Sequence, residues 1–284
     1  VLRHAQTLLA EHLPLEAAGY SCTTDDLLSV LLGVAANQST IEAVCADLVG
    51  TPDAETICSY FNEQLCVEDL PDLAERLNAA LAAEVPDRVP RRAREVAIDL
   101  HDRPYYGKLP QKEGLWVRGQ AKDGTTRFYR VATAYVMVKN LRVTLAVRFV
   151  LPGDDTVTIL DDLLKRLKTL GIRVARLFLD RGFDGIAVMD YLTRQKQPAL
   201  IACTLCGKTG GTRALCQGRR SYRTGYTFHG EDHTAFTAEL AVCRVFTTAK
   251  RTGRHKREGD WMHPDPARLD PTPGAPAVPP PLWD

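Results

Sequence analysis

The stretch Val174 to Tyr191, VARLFLDRGFDGIAVMDY, constrains the fold more than any other part of the chain. An apolar run ends at Leu179 and is followed by Asp180-Arg181-Gly182-Phe183. Beyond it Ile186, Val188, Met189 and Leu192 recur at helical spacing. The pattern predicts a buried strand, a tight glycine-containing turn and an amphipathic helix. It puts Asp180 at the carboxyl end of a central strand, where open α/β sheets hold their ligands. The plainer alternative is that Asp180 caps the following helix, because Asp is a favoured N-cap.

A second strand of the same design lies upstream. Val96-Ala97-Ile98 is a short apolar run that delivers Asp99, and LHDRPYYGKLP follows as a turn-rich loop. Asp102 sits in that loop, so either carboxylate could serve as a ligand. Asp99 is preferred because it directly ends the apolar strand.

The segment between these strands reads as a polar connection, EGLWVRGQAKDGTTR, and then two strands, FYRVATAYVMV and RVTLAVRFV, joined at Lys139-Asn140. They are rich in β-branched and aromatic residues and meet at a turn signal, which predicts a hairpin. Pro152-Gly153-Asp154-Asp155 closes it and opens a helix, VTILDDLLKRLKTL, that stops at Gly171. A further strand is expected at Ala199–Ala202. The order strand, strand, strand, helix, strand, helix, strand implies one mixed sheet with an antiparallel start and α/β crossovers. That order suits an α/β fold of the ribonuclease-H-like kind, in which the first and fourth strands are neighbours and would bring Asp99 and Asp180 together.

Residues 1 to about 85 read as helical throughout. Asp25-Asp26, Ser39-Thr40 and Pro71-Asp72 each precede apolar residues at helical spacing. Such a block could bind DNA, mediate oligomerisation or simply pack on the sheet. Val85–Arg94, VPDRVPRRAR, reads as a basic linker. Past residue 203 the chain looks β-rich and irregular, and from about Asp260 prolines are too frequent for helix or sheet. The expected divisions are a helical N-terminal domain over 1–88, a catalytic core over 94–202, a β-rich insertion over 203–259 and a disordered Pro-rich tail over 260–284.

With 284 residues, 45% hydrophobic and 25% charged, the chain matches an ordinary globular protein. Its net charge of +1 does not demand a polyanionic partner, but basic clusters at Arg88–Arg94, Arg213–Arg223 and Lys250–Arg257 can still grip phosphates. No apolar run is long enough for a membrane span. Eight dispersed cysteines without a secretion signal suggest reduced thiols and a cytoplasmic setting.

Two carboxylates at neighbouring strand ends can hold Mg²⁺ (or Mn²⁺), a hard cation that takes one or two carboxylates plus phosphate oxygens. A pair of such ions stabilises both the attacking and the leaving oxygen of an in-line phosphoryl displacement. Lys108, Lys122 and Arg181 are the candidates for neutralising a DNA backbone nearby. Tyr105-Tyr106 could stack on a displaced base, or pack beside the strand.

Taken together, IDLHDRPYYGK, GTTRFYRVATAYVMVKNLRVTLAV and LFLDRGFDGIAVMDYL resemble the DDE-type insertion-sequence transposases, over roughly residues 90 to 250. The resemblance implies a ribonuclease-H-like catalytic core, dependence on Mg²⁺ and strand transfer at transposon ends. Asp99 would be the first catalytic carboxylate and metal ligand, and Asp180 the second. The implied partners are double-stranded DNA, as terminal repeats and as target, and a homodimer; the implied location is the nucleoid, with no membrane. One departure stands out. The family carries a Glu in a helix beyond the β-rich insertion, within a Tyr…Arg…Glu…Lys pattern, and this sequence has only RTGRHKRE followed by the Pro-rich end. The expectation is therefore a truncated transposase that does not complete transposition. A nuclease of the same fold and a non-catalytic DNA-binding remnant are the alternatives.

Cys203-Thr204-Leu205-Cys206, with Cys216, Cys243, His229 and His233 downstream, raises zinc as a competing reading. The second pair is badly separated, and buried thiols are the default. GKTGG at Gly207–Gly211 lacks the full phosphate-loop pattern and reads as a surface loop.

Overall fold

A computed structural model describes residues 1–17, 19–107, 114–207, 210–218, 220–230 and 233–244. Lys108 and everything from residue 245 onward, including Lys250–Arg257 and the Pro-rich stretch, lie outside the described residues. The chain forms two compact units. One comprises the described residues of 1–94, 100–154 and 159–173; the other comprises 95–99, 155–158 and the described residues from Val174 to Arg244.

The first unit opens with five helices, α1 (Leu2–His12), α2 (Thr24–Asn37), α3 (Ile41–Asp47), α4 (Ala54–Gln64) and α5 (Leu70–Ala83). Their starts are set by short polar side chains that satisfy exposed backbone amides. Thr23 caps α2 in a reciprocal box with Asp26, one turn earlier than the Asp25-Asp26 signal suggests. Thr40 caps α3 and Asp53 caps α4. Leu27, Leu28 and Val30 of α2 are fully buried with Ile57 of α4, and Leu15 and Val44 nearly so, forming one apolar cluster. The helical reading of this region holds.

Four strands are introduced next: β1 (Arg94–Pro104), β2 (Val117–Lys122), β3 (Thr125–Val138) and β4 (Leu141–Val150). The β3–β4 hairpin turns at Lys139 and Asn140, both in the left-handed region with φ of 51° and 66°, as a two-residue turn between twisted strands requires. β2 is a strand and not the polar connection expected. It pairs antiparallel with β3 through a turn at Asp123-Gly124 (φ 52° and 79°). Asn78 of α5, nearly buried, covers the outer edge of β4. Its side-chain oxygen accepts from the Val147 amide and its nitrogen donates to the Val147 carbonyl, both at 2.9 Å. A side-chain amide thus occupies the place of a neighbouring strand on an edge that would otherwise pair with another chain.

A helix, α6 (Thr156–Thr169), follows, with Asp155 accepting from the amides of Val157 and Thr158 at its start. Its apolar stripe, Ile159, Leu160, Leu163 and Leu167, is buried, worth about 1.5–3 kcal/mol per side chain.

The second unit contains β5 (Val174–Leu179), α7 (Ile186–Arg194), β6 (Ala199–Ile201), β7 (Tyr222–His229) and β8 (Ala235–Val242). β6 runs parallel to β5, with Phe178 opposite Leu200. β7 and β8 form a separate two-stranded antiparallel sheet.

In the main sheet the hydrogen-bonded order is β2-β3-β1-β5-β6, with β4 also on β3. β2 meets the first residues of β3 and β4 the rest, so both share one edge of that long strand. Read as β4-β3-β1-β5-β6, this is the ribonuclease-H-like mixed sheet with a helical N-terminal region and a later β hairpin. The first and fourth core strands, β1 and β5, are neighbours as that fold requires.

Candidate functional site

Asp99 does not end its strand. β1 continues from Leu100 to Pro104, where a turn-rich loop was expected, so Asp99 is a half-buried mid-strand residue. The cause lies in β3, whose side chains give the polar second half of β1 partners. His101 Nε2 lies 3.0 Å from Thr133 Oγ1, and the Tyr105 amide donates to the Arg127 carbonyl at 2.9 Å. These pairs run in opposite directions along the two strands, so β1 and β3 are antiparallel. Sequence periodicity cannot see such partners, because they come from thirty residues away.

Asp102 is engaged within the same pairing. Arg130 donates to both of its oxygens, Nε to Oδ1 at 2.6 Å and Nη2 to Oδ2 at 2.9 Å. A cation would have to displace this bidentate, charge-assisted pair to reach the carboxylate.

Asp180 lies just past the end of β5. Its Oδ1 accepts from the Gly182 amide at 3.0 Å, so the capping alternative is realised, though on a short 3₁₀ turn over Arg181–Phe183 and not on α7. Phe183 is fully buried and anchors the turn. Its amide donates to the Asp180 carbonyl at 3.2 Å, and the Gly185 amide to the Phe183 carbonyl at 2.9 Å. Asp184 reaches the segment after β6, accepting from the Thr204 amide at 2.6 Å. The carboxylate therefore stands on a turn fixed at both ends.

The register of the two strands follows from one bond. The Arg94 amide donates to the Arg173 carbonyl at 2.8 Å, tying the start of β1 to the residue before β5. Both strands leave this tie in the same direction, and Glu95 and Arg176 pair across them at 3.5 Å. In a parallel ladder the bonded amide faces the residue after the carbonyl, so Arg94 is level with Val174. Asp99 is then five residues along β1 (99 − 94) and Asp180 six along from Val174 (180 − 174). Their backbones differ by one step, about 3.3 Å, along neighbouring strands.

Two hard-oxygen donors on adjacent strands fit Mg²⁺, which takes few protein ligands and completes its shell with water and phosphate. Among the described residues, no three or more His, Cys, Asp or Glu side chains gather into a group able to hold a metal ion. That leaves the zinc reading without a ligand set among them. Burial, and next the negative charge of Asp184, push the Cys203 thiol up to about 12. All eight cysteines are free thiols.

Arg181 is exposed on the turn beside Asp180, and Lys122 is exposed at the end of β2; Lys108 is outside the described residues. Tyr105 packs edge-on against Tyr129 with centroids 5.2 Å apart, which answers the packing alternative for that residue. Tyr106 is exposed, with its hydroxyl donating to the Asp123 carbonyl at 2.6 Å. One further cluster carries no signal in local sequence. The Arg142 guanidinium lies 3.8 Å over the Tyr135 ring and donates to Thr133 Oγ1 at 3.1 Å, beside His101.

No family model matches the chain, and no curated protein does. The solved structures similar to it include three of DNA transposases. A piggyBac transposase synaptic complex with hairpin DNA is 10% identical, with a TM-score of 0.44, over 85% of this chain and 57% of that one. A Drosophila P element transposase strand transfer complex is 12% identical, with a TM-score of 0.33, over 70% and 44%. A Mos1 transposase paired-end complex with the left transposon end is 11% identical, with a TM-score of 0.25, over 61% and 57%. The chain spans less than two thirds of each. Likeness this loose carries neither activity nor residue roles across. No helix among the described residues is long and apolar enough to cross a membrane.

Proposed function

We propose that this chain is a DDE-type transposase core that binds double-stranded DNA and divalent cations through Asp99 and Asp180, and that does not complete strand transfer. The observation that carries the reading is the placement of these two acids on neighbouring strands, one residue apart in level. The two acids are 81 positions apart along the chain, and the strand order sets the strands that carry them side by side.

Asp99 and Asp180 are the residues that would hold Mg²⁺ or Mn²⁺. When bound, the metal supplies positive charge to the oxygens of a phosphodiester undergoing in-line displacement. Asp99 offers its carboxylate from the middle of a strand paired on both sides, which fixes its backbone. Asp180 is oriented by the Gly182 amide and by the buried Phe183 beneath the turn, the kind of preorganisation that keeps a ligand in one geometry. Arg181, one residue on, brings a guanidinium suited to bidentate contact with a phosphate. Lys122 and Lys108 would add charge against the DNA backbone.

In a non-catalytic DNA-binding remnant the same two acids would bind no cation. Calorimetric titration with Mn²⁺ and a duplex nicking and joining assay separate the possibilities. The expected result is Mn²⁺ binding that is lost in Asp99→Asn and Asp180→Asn, with little or no joining of strands by the parent chain. Unchanged Mn²⁺ binding in both variants would sink the metal-site reading; efficient joining would sink the claim of incompleteness.

A further inference from the structure

Arginines from two distant segments meet at the start of β1. Arg88, Arg91, Arg92 and Arg94 fall within seven residues, and Arg173 precedes β5. The expected linker is in fact a packed turn. Val89 is fully buried and its amide donates to the Pro86 carbonyl at 2.8 Å. Arg94 donates through Nε to the Val89 carbonyl at 2.9 Å and through Nη2 to the Arg88 carbonyl. Arg173 is joined to the turn by the Arg94 amide at 2.8 Å and by its own Nη2 on the Arg91 carbonyl at 3.4 Å. A Cβ on Gly171 would stand 4.0 Å from Pro90, so the two loops are in contact.

The charges on this surface are not neutralised from within. Among the described residues none of the five arginines has a carboxylate within ion-pairing distance; those with partners bond to backbone carbonyls. The nearby acids are otherwise engaged or apart, Glu84 with His4 and Glu95 with Arg176, while the exposed Asp87 in the turn pairs with none of them. Arg94 has its pKa lowered, first by burial and then by the like charges of Arg92 and Arg88. Arg88, Arg91, Arg92 and Arg173 are exposed. An arginine run on a loose tether would spread into solvent and lose little. Here the packed turn holds the arginine backbones close together, and an external polyanion would relieve the repulsion among their charges.

We infer that the Arg88–Arg94 turn with Arg173 is a docking surface for the phosphate backbone of duplex DNA, separate from the Asp99–Asp180 pair. Guanidinia meet phosphates bidentately, and several exposed ones carried on one packed turn suit a repeating polyanion better than a single phosphate. The surface lies at the opening residues of β1, five residues before Asp99. DNA held there is gripped without sequence readout, and its contribution falls steeply with salt. The inference rests on the proposed DNA-processing role.

The test is fluorescence anisotropy of the full chain with a labelled duplex of about 30 base pairs across a salt series, where each phosphate contact adds about 0.9 to the slope of log affinity against log salt. Arg88→Ala, Arg91→Ala and Arg92→Ala together should make the slope shallower by roughly 2–3 and weaken binding at least about 10-fold. The corresponding Arg→Lys triple should keep most of the slope. Should the alanine triple melt early, Arg91→Gln with Arg92→Gln makes the same comparison on two exposed side chains, with a change of about 2. A parental slope and affinity in these variants overturns the inference, as does a loss confined to inorganic polyphosphate with duplex binding intact. If Asp99→Asn and Asp180→Asn abolish Mn²⁺ binding while the arginine variants bind like the parent, only this inference fails. A parent chain that binds no duplex even at low salt removes both.

Discussion

Arg130 holds Asp102 by two parallel hydrogen bonds of 2.6 and 2.9 Å, three residues along the strand from Asp99. Alternation along β1 turns Asp99 and Asp102 to opposite faces. Both partners of the pair are about a quarter exposed at the side chain, so it is sheltered without being sealed. Asp102→Asn should destabilise the fold by about 1–2 kcal/mol, because it leaves a partly desolvated guanidinium without its anion. Mn²⁺ affinity should be unchanged in that variant. Denaturant unfolding and calorimetry on Asp102→Asn beside Asp99→Asn read the two effects separately; loss of metal binding in Asp102→Asn would reassign the ligand.

Asn78 makes three hydrogen bonds, to the Val147 amide, the Val147 carbonyl and the Ala74 carbonyl, the last at 2.7 Å. Asn78→Leu keeps the volume and strands the edge groups of β4. The expected cost is about 2–4 kcal/mol, the sum of lost bonds and unpaired backbone. Chemical denaturation reports the loss, and faster hydrogen exchange at Val147 locates it. An exchange rate at Val147 equal to the parent's would rule out this role for Asn78.

The Lys139-Asn140 turn places both residues at positive φ, where a side chain is under strain. Lys139→Asn with Asn140→Gly supplies the residues a two-residue hairpin prefers and should stabilise by about 0.5–1 kcal/mol. A thermal melt shifted upward by a few degrees is expected; a downward shift would show that the lysine does something beyond the turn.

Cys203 bears on behaviour in alkali. Its thiol is pushed up to about 12 from 9.0, chiefly by burial and then by Asp184. Between those values the unfolded chain gives up this proton and the folded chain keeps it, so stability contributed by the protonated thiol is lost as pH rises from about 9 to 12. Other groups titrate there too, so the comparison is with Cys203→Ala, whose stability should fall less steeply over that window. Iodoacetamide should also label Cys203 slowly at pH 8, because the thiolate is the nucleophile. Rapid labelling would contradict the burial.

Much of this was legible in the residues. The Val174–Tyr191 pattern gave strand, turn and helix because buried apolar residues set both periods, and Thr40, Gly171 and Lys139-Asn140 marked ends by their own chemistry. β2 escapes its sequence although Asp123-Gly124 is a strong hairpin signal; its strand is polar and exposed, so the apolar alternation that identifies strands is absent. The second half of β1 resembles a loop because His101 and Asp102 look out of place in a strand until Thr133 and Arg130 are set opposite. Where the two acids lie in level depends on the Arg94–Arg173 bond between distant segments, which no window of sequence contains.

Strand order has a consequence in time. The β2-β3-β4 meander closes through turns of two residues, so those pairings need little chain to be searched. Asp99 and Asp180 are separated by 81 positions (180 − 99), and the ladder that levels them can form only after that whole length has been drawn into a loop. Non-local parallel pairing is the slow kind. During refolding, cation affinity should therefore lag behind hairpin formation, emerging only as the last long-range strand docks.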